Sequence, residues 1–151
     1  MLNKSIHLSP IFMRNILTVF VFALFVTPSF AQNQIVGKWL SQDKQAVTEI
    51  FERDGKYFGN INWLKNPADA NGIPLKDTEN NDKTKQGQPI MGLTVLKDLA
   101  FQNNEWKGGT AYDPKSGKSF SCKLWLDDNN NLKVRGYWGL FNHTETWTKS
   151  N

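Results

Sequence analysis

Histidine, cysteine and acidic side chains are the residues of this sequence that could carry out acid–base, nucleophilic or metal chemistry. His143 could act as a general base if a loop carboxylate such as Asp77 or Asp82 oriented it. No partner motif surrounds His143, however, and a solvated histidine at a strand end accounts for it more simply. Cys122 falls among alternating apolar residues with no cationic neighbour to ionise its thiol, which is typical of a small core residue. The sequence therefore predicts no catalytic residue.

The acidic and amide-rich segment at residues 77–82 offers the oxygen ligands that calcium prefers. In an EF-hand loop beginning at Asp77, the sixth position should be glycine and the twelfth glutamate, but Asp82 and Gln88 stand there. The chain also lacks a Gly-x-Ser-x-Gly motif, a phosphate-binding loop and a His/Cys metal spacing. We therefore expect neither a metal ion nor a cofactor.

The aromatic content is the feature that bears most on function, because the chain has six tryptophans. Trp63, Trp106, Trp125 and Trp138 fall on or beside the ends of predicted strands. Inward-facing rings would line a cavity for a flat or apolar molecule, whereas outward-facing rings would stack on sugars or on a protein partner. The remaining alternative is that the rings fill the interior and leave no cavity.

The elements that must position these side chains are short runs rich in β-branched and aromatic residues, separated by turn residues. Alternation is clearest where Phe120, Cys122, Leu124 and Leu126 share one face of a run. The predicted strands span residues 35–41, 46–53, 56–63, 90–96, 99–102, 106–113, 118–126, 132–140 and 143–149.

Residues 64–89 interrupt this pattern with a polar stretch rich in proline and glycine, which predicts one long loop. The other connections are hairpin-length, such as Asp54–Gly55, and indicate an up-and-down antiparallel meander. Because no long helix is available to cover an apolar face, closing the sheet removes both that face and the free strand edges. We predict an all-β, up-and-down barrel of about eight strands, with a two-sheet sandwich as the alternative.

The first 31 residues have the parts of a secretory signal peptide. Lys4 and Arg14 precede an apolar run from Ile16 to Val26, and small residues follow at Ser29 and Ala31. Cleavage is therefore expected after Ala31. The apolar run is about half the length that spans a bilayer, so no membrane span is expected to remain after cleavage.

The predicted mature chain, residues 32–151, is expected to form a single domain in the periplasm or outside the cell. Loss of Lys4 and Arg14 lowers the formal net charge from +4 to +2. Charges this few and this interspersed argue against a nucleic-acid partner, which requires a clustered basic surface.

Seven short segments follow one another across the mature chain in an order and spacing that matter more than any one of them: Ile35–Trp39, Tyr57–Ile61, Pro89–Leu93, Trp106–Pro114, Gly117–Phe120, Leu132–Tyr137 and Thr146–Lys149. Together they resemble a family of small secreted bacterial proteins, domain-of-unknown-function family 2147, and the resemblance implies a lipocalin-like fold. The sequence departs from that family at Lys149, where arginine is usual, and at 141–143, where the family has a turn rich in glycine and arginine.

Candidate site residues follow from a barrel of this kind. Trp39 is expected to plug one end of the barrel, with Gly37 allowing close approach of a neighbouring backbone. On the last strand, Trp147 belongs to the same closure, and Lys149 is expected to lie across the indole of Trp39. The residues expected to line a ligand cavity are Trp63, Met91, Phe120, Leu124, Val134 and Trp138.

Three hypotheses follow for function. The first is lipocalin-like binding of a small hydrophobic or amphipathic molecule. The second is an envelope interaction or carbohydrate-binding module that acts through exposed aromatics such as Trp125 and has no internal pocket. The third is an enzyme that uses His143.

Overall fold

The computed structural model describes residues 29–151, with side chains from residue 31 onward. The predicted signal peptide lies almost entirely outside the described residues. The described chain contains one short helix and eight strands, in this order: α1 (Ser29–Gln32), β1 (Gly37–Leu40), β2 (Ala46–Arg53), β3 (Lys56–Leu64), β4 (Thr94–Gln102), β5 (Glu105–Asp113), β6 (Lys118–Leu126), β7 (Leu132–Trp138) and β8 (Phe141–Ser150).

The eight strands form a closed antiparallel barrel in which each strand pairs with its neighbours in sequence. Closure is made by β1 and β8, where Lys38 pairs with Ser150, Trp39 with Lys149 and Leu40 with Thr148. This pairing confirms the predicted up-and-down barrel and excludes the two-sheet sandwich, whose sheets would each keep two free edges.

Tight hairpins account for the meander. Asp54 and Gly55 join β2 to β3 with φ of 54° and 74°, the paired positive values of a type I′ turn. Asn103 and Asn104 join β4 to β5 in the same way, with φ of 53° and 61°. Asparagine, aspartate and glycine tolerate this left-handed conformation best, so the local sequence specifies the strand register at both hairpins.

The barrel has two ends with different connections. One end, here the packed end, carries the β2–β3, β4–β5 and β6–β7 hairpins together with the two chain segments that enter β1 and leave β8. The other, here the open end, carries the turns at 41–45, 114–117 and 139–140 and the long loop at 65–93.

The apolar core occupies the packed half of the barrel. Trp106 is 1% exposed and packs its ring against Tyr57 and Phe101, with centroids 6.1 Å and 4.8 Å away. The segment that precedes β1 covers this end, because Trp106 Nε1 donates a hydrogen bond to the Gln32 carbonyl at 3.1 Å. The other core residues are Ile35, Trp39, Ile50, Leu96, Leu99, Cys122, Leu124, Leu132, Val134 and Trp147.

The structure corrects several predicted strand boundaries. The predicted strand at 132–140 ends at Trp138, and residues 139–140 form the turn to β8. The predicted strand at 35–41 is shorter, Gly37–Leu40.

The predicted strands at 90–96 and 99–102 are one strand, β4, which begins only at Thr94. Asp98 marks the place of the predicted break, since its φ of 59° distorts the strand without ending it. Ile90, Met91 and Leu93 belong to the long loop instead, because Gly92 has a φ of 84° and turns the chain there.

Candidate functional site

A cavity of about 620 Å³ opens at the open end of the barrel and extends inward to the core. Leu96, Val134 and Trp147 belong both to the core and to the cavity wall, so they form its floor. The cavity exists because inward positions near the open end carry small side chains. These are Ala46, Thr48, Ala111 and Gly136.

The rim of the cavity is polar. Asp43 accepts a hydrogen bond from Ser41 Oγ at 2.7 Å and lies 3.5 Å from Lys115 Nζ. These contacts, led by the Ser41 hydrogen bond, hold the pKa of Asp43 below its usual range. Asp113, also at the rim, accepts hydrogen bonds from the Lys115 amide at 3.0 Å and Ser116 Oγ at 2.7 Å. The rim carboxylates therefore serve mainly to shape turns.

One acidic side chain reaches further into the barrel. Glu145 on β8 pairs in register with Val134, and both residues line the cavity. Its Oε2 accepts a hydrogen bond from Trp147 Nε1 at 2.8 Å. Within residues 31–151 the Glu145 carboxylate makes no ion pair.

Residues 65–93, here the cover loop, lie across the open end and are held there by specific contacts. Leu75 and Ile90 line the cavity from the loop, and the Ile90 amide donates a hydrogen bond to the Leu75 carbonyl at 3.0 Å. Gly117 contacts the loop backbone so closely that a Cβ there would overlap the carbonyl oxygen of Glu79, and its φ of 67° also favours glycine.

Asp77 attaches the cover loop to the barrel. Its side chain is fully buried and accepts hydrogen bonds from Tyr112 Oη at 2.7 Å and from Asn80 Nδ2 at 2.7 Å. Burial, together with the hydrogen bond to Asp77, raises the pKa of Tyr112 to about 12. The acidic segment singled out in the sequence thus has a structural role in the position of the loop.

Three of the six predicted lining residues lie in the cavity wall. Phe120, Val134 and Trp138 all line it. Phe120 and Trp138 form an aromatic pair, with ring centroids 5.6 Å apart. Trp138 is 44% exposed and therefore reaches the rim.

The other three predicted lining residues lie elsewhere. Trp63 is 45% exposed, because a register shift between Val47 and Thr48 leaves Trp63 outside while residues 61 and 64 line the cavity. Met91 belongs to the cover loop and borders a separate outer cleft of about 440 Å³. Leu124 points inward but is fully buried beside Trp106 in the packed half.

The predicted closure residues meet at the β1–β8 pairing. Lys149 Nζ lies 5.5 Å from the centroid of the Trp39 ring, and Trp39 Nε1 donates a hydrogen bond to the Ile35 carbonyl at 2.7 Å. Trp147, 9% exposed, separates this core from the cavity. Gly37 is required by its φ of 128° rather than by close backbone approach, since a Cβ there would meet only Lys149 Cε at 4.0 Å.

Sequence reasoning missed Glu145, Leu75 and Ile90 as cavity residues. Glu145 could have been found, because it shares the inward parity of Trp147 and Lys149 along β8. No such signal marks Leu75, because Ile73 is equally apolar and only two residues away but is exposed.

The groups considered for chemistry are not assembled into a reactive cluster. His143 lines the cavity near the rim, whereas Asp77 is engaged by Tyr112 and Asp82 accepts hydrogen bonds from Thr84. Burial raises the pKa of the Cys122 thiol to about 12, so the thiol is protonated at neutral pH. Within residues 29–151, no three His, Cys, Asp or Glu side chains are grouped to hold a metal ion.

Comparison with known proteins assigns the family. The profile of an uncharacterised protein family conserved in bacteria, DUF2147, matches residues 37–149. The chain belongs to the DUF2147 family. No curated protein matches it.

A solved structure supports the fold of this DUF2147 member. Protein HP1028 from the human pathogen Helicobacter pylori, described as belonging to the lipocalin family, superposes with a TM-score of 0.66 at 23% sequence identity. The match covers 77% of this chain and 82% of the other. The lipocalin-like barrel predicted from the sequence is therefore confirmed. Among residues 29–151, the structure has no helix long and apolar enough to cross a bilayer.

Proposed function

We propose that this protein binds a small hydrophobic or amphipathic molecule in the open half of its barrel. The observation that carries the proposal is the cavity of about 620 Å³, with apolar walls below a polar rim. Sites for small molecules commonly enclose about 300–1,000 Å³ and are lined mostly by apolar and aromatic side chains. A barrel of about eight strands can be packed solid, so small inward residues such as Ala111 and Gly136 favour a binding role.

Binding without catalysis is part of this proposal. His143 lines the cavity, but the carboxylates proposed as its partners, Asp77 and Asp82, are hydrogen bonded to other residues. If the protein only binds its ligand, the cellular phenotype of a His143→Ala variant should follow its ligand affinity, since His143 lines the cavity. Loss of that phenotype with ligand binding intact would favour the enzymatic alternative.

We further propose that binding takes place in the periplasm or outside the cell, which rests on the signal-peptide pattern at residues 1–31. The test is the intact mass of the protein recovered from the periplasm of its host. A chain that begins at Gln32 supports export, and a full-length chain recovered from the cytoplasm contradicts it.

The cavity can be tested by filling it. Gly136 faces the cavity, and a Cβ there would meet Phe120 and Trp138 at ordinary contact distances of 3.9 Å. A Gly136→Leu variant should therefore fold and occupy part of the cavity. We expect it to weaken the binding of N-phenyl-1-naphthylamine, a fluorescent apolar probe, by about tenfold or more, because the leucine side chain takes up apolar wall that the probe would otherwise contact.

The matched control is Ser121→Leu, which adds the same side chain on the exposed outer face of β6. It should bind the probe like the wild type. Circular dichroism and thermal unfolding of both variants establish that they are folded. Equal probe affinity in the wild type and in folded Gly136→Leu would contradict binding in the cavity.

The alternative of an envelope or carbohydrate-binding module needs aromatic rings that are free to stack. Trp125 on the outer surface does not offer one freely, because Lys123 Nζ and Arg135 Cζ lie over its ring, 5.2 Å and 5.0 Å from the centroid. Retention of the purified protein on peptidoglycan, with loss of retention in Trp125→Ala, would nevertheless favour this alternative.

A further inference from the structure

Glu145 is a carboxylate in the wall of an otherwise largely apolar cavity. It lies beside two floor residues, since it pairs in register with Val134 and accepts a hydrogen bond from Trp147 Nε1 at 2.8 Å through Oε2. Among the described residues, no hydrogen bond engages its second oxygen, Oε1. One carboxylate oxygen therefore remains available to a molecule in the cavity.

Among residues 31–151, no cation forms an ion pair with this carboxylate. In the described part of the chain, the cavity is lined by three acidic side chains, Asp43, Asp113 and Glu145, and by one lysine, Lys115. His143, on the same face of β8 as Glu145, also lines it. Lys115 is at the rim, 3.5 Å from Asp43.

We infer that the ligand is a cationic amphiphile, an amine with an apolar body, whose protonated nitrogen binds the Glu145 carboxylate. This inference rests on the proposed binding function. Interactions between charges strengthen in a site with a low dielectric constant, and a carboxylate there binds an ammonium group through a short charge-assisted hydrogen bond. An anionic ligand of the same length would be repelled by Glu145 and by the excess of rim carboxylates.

The rest of the cavity suits the apolar body of such an amine. Phe120 and Trp138 present paired rings toward it, and Ile61 and Leu96 complete an apolar surface. Alkylamines are protonated at pH 7, since their pKa lies near the value of about 10.4 for lysine. The ammonium group can then contact Glu145 while the apolar body contacts the cavity wall. A fatty acid or a simple alcohol has no positive charge for Glu145.

The test compares three ligands with the same tail and different heads: octylamine, octanol and octanoate. Each is titrated at pH 7 to displace N-phenyl-1-naphthylamine from the wild type. We expect octylamine to bind about tenfold or more tightly than octanoate, the effect expected of one charge-assisted hydrogen bond. In Glu145→Gln, which keeps an acceptor for the Trp147 indole, that preference should fall to about twofold or less, with octanol affinity unchanged.

The control variant is Glu49→Gln on β2, which removes the same charge from the outside of the barrel, where Glu49 accepts a hydrogen bond from Asn62. It should keep the preference of the wild type for octylamine.

The outcomes separate the two proposals. Octanoate that binds as tightly as octylamine, or a preference that survives Glu145→Gln, overturns the assignment of a cationic ligand while cavity binding stands. If Glu49→Gln also abolishes the preference for octylamine, the preference arises from the net charge of the protein, and the role of Glu145 is overturned. If neither the probe nor any of the three ligands binds, both proposals fail.

Discussion

The two halves of this barrel are built from the same strands but are filled differently. On β5 the inward side chain is Trp106 in the packed half and Ala111 in the open half. On β7 the same change runs from Leu132 to Gly136. Polarity changes little between these positions, whereas side-chain volume changes greatly. The volume of the inward residues therefore decides where a small barrel is solid and where it is hollow.

The two ends of the barrel are also covered by different kinds of contact. The packed end is closed by the segment before β1, in which Ile35 is fully buried and the Gln32 carbonyl accepts a hydrogen bond from Trp106. The open end is covered by the loop at 65–93, which is attached through the polar pair Asp77 and Tyr112. Because apolar burial holds one end and hydrogen bonds hold the other, we expect mutations at the two ends to lower the free energy of unfolding by different amounts.

The largest expected effect is on stability in the packed half. Trp106→Ala should lower the free energy of unfolding by about 4 kcal/mol, because it removes a buried aromatic side chain and leaves a cavity. Trp138→Ala, its counterpart at the open end, should cost less than about 1 kcal/mol, since Trp138 is 44% exposed. Urea unfolding of both variants measures the difference. Equal losses would show that the two halves are packed alike.

An intermediate effect is expected at the cover loop. Tyr112→Phe removes one of the two side-chain hydrogen bonds to the buried Asp77 carboxylate, and should cost about 1–3 kcal/mol. Tyr137→Phe, on the outer face of β7, is the matched control and should be nearly neutral. Hydrogen exchange at residues 75–80 should increase in Tyr112→Phe alone. Unchanged exchange there would contradict the role of this pair in positioning the loop.

The same pair predicts a dependence of stability on alkaline pH. The pKa of Tyr112 is raised to about 12 in the folded protein, whereas an unfolded tyrosine ionises near pH 10. As pH rises from about 10 to 12, the unfolded chain loses this proton first, so stability falls across that window and is unaffected below it. Urea midpoints measured from pH 8 to 12 should fall less steeply in Tyr112→Phe than in the wild type. Identical slopes would exclude a contribution from Tyr112.

A smaller effect is expected on ligand affinity at the rim. Trp138→Ala should weaken the binding of N-phenyl-1-naphthylamine by about fivefold, because it removes one of the paired rings of the cavity. Trp63→Ala, an equally exposed tryptophan outside the cavity, should bind the probe like the wild type. If both variants bind the probe equally weakly, the position of Trp138 in the cavity wall does not account for its effect on affinity.

The smallest effect is expected at the barrel closure. Lys149→Met keeps most of the side-chain volume over Trp39 but removes the charge, and should cost about 0.5–1 kcal/mol. Lys149→Arg keeps the charge and should be close to neutral. Thermal unfolding of the two variants tests this difference, and a larger loss in the arginine variant would show that shape, not charge, matters at this contact.

Much of the fold could be predicted from sequence because its determinants are local. Asp54 and Gly55 specify a turn type, and the alternation from Phe120 to Leu126 specifies a face. The sequence predicts a strand at Ile90 and Met91, because apolar residues give the same pattern in a paired strand and in a loop beside the barrel. The predicted start of β4 at residue 90 and its division into two strands are therefore wrong, whereas the extended backbone at 94–96 and 99–102 is confirmed.

The site was less predictable because it depends on non-local geometry. The register shift beside Val47 places Trp63 on the outer face of the barrel instead of the inner face, and no residue type predicts such a bulge. Leu124 and Phe120 share one face of β6, but only the tertiary structure divides that face between the core and the cavity. Glu145 was not predicted because inward positions are recognised by their apolar residues, and a glutamate does not fit that pattern.

The pairing of β1 with β8 has a consequence for biosynthesis. Trp39 can pair with Lys149 only after the chain has been synthesised as far as β8, whereas each hairpin between them needs only two neighbouring strands. Until then, the first strand has one unsatisfied edge and a tryptophan without its cation. Closure of the barrel therefore depends on β8, Phe141–Ser150, and a chain truncated before β8 should keep an unpaired edge on β1.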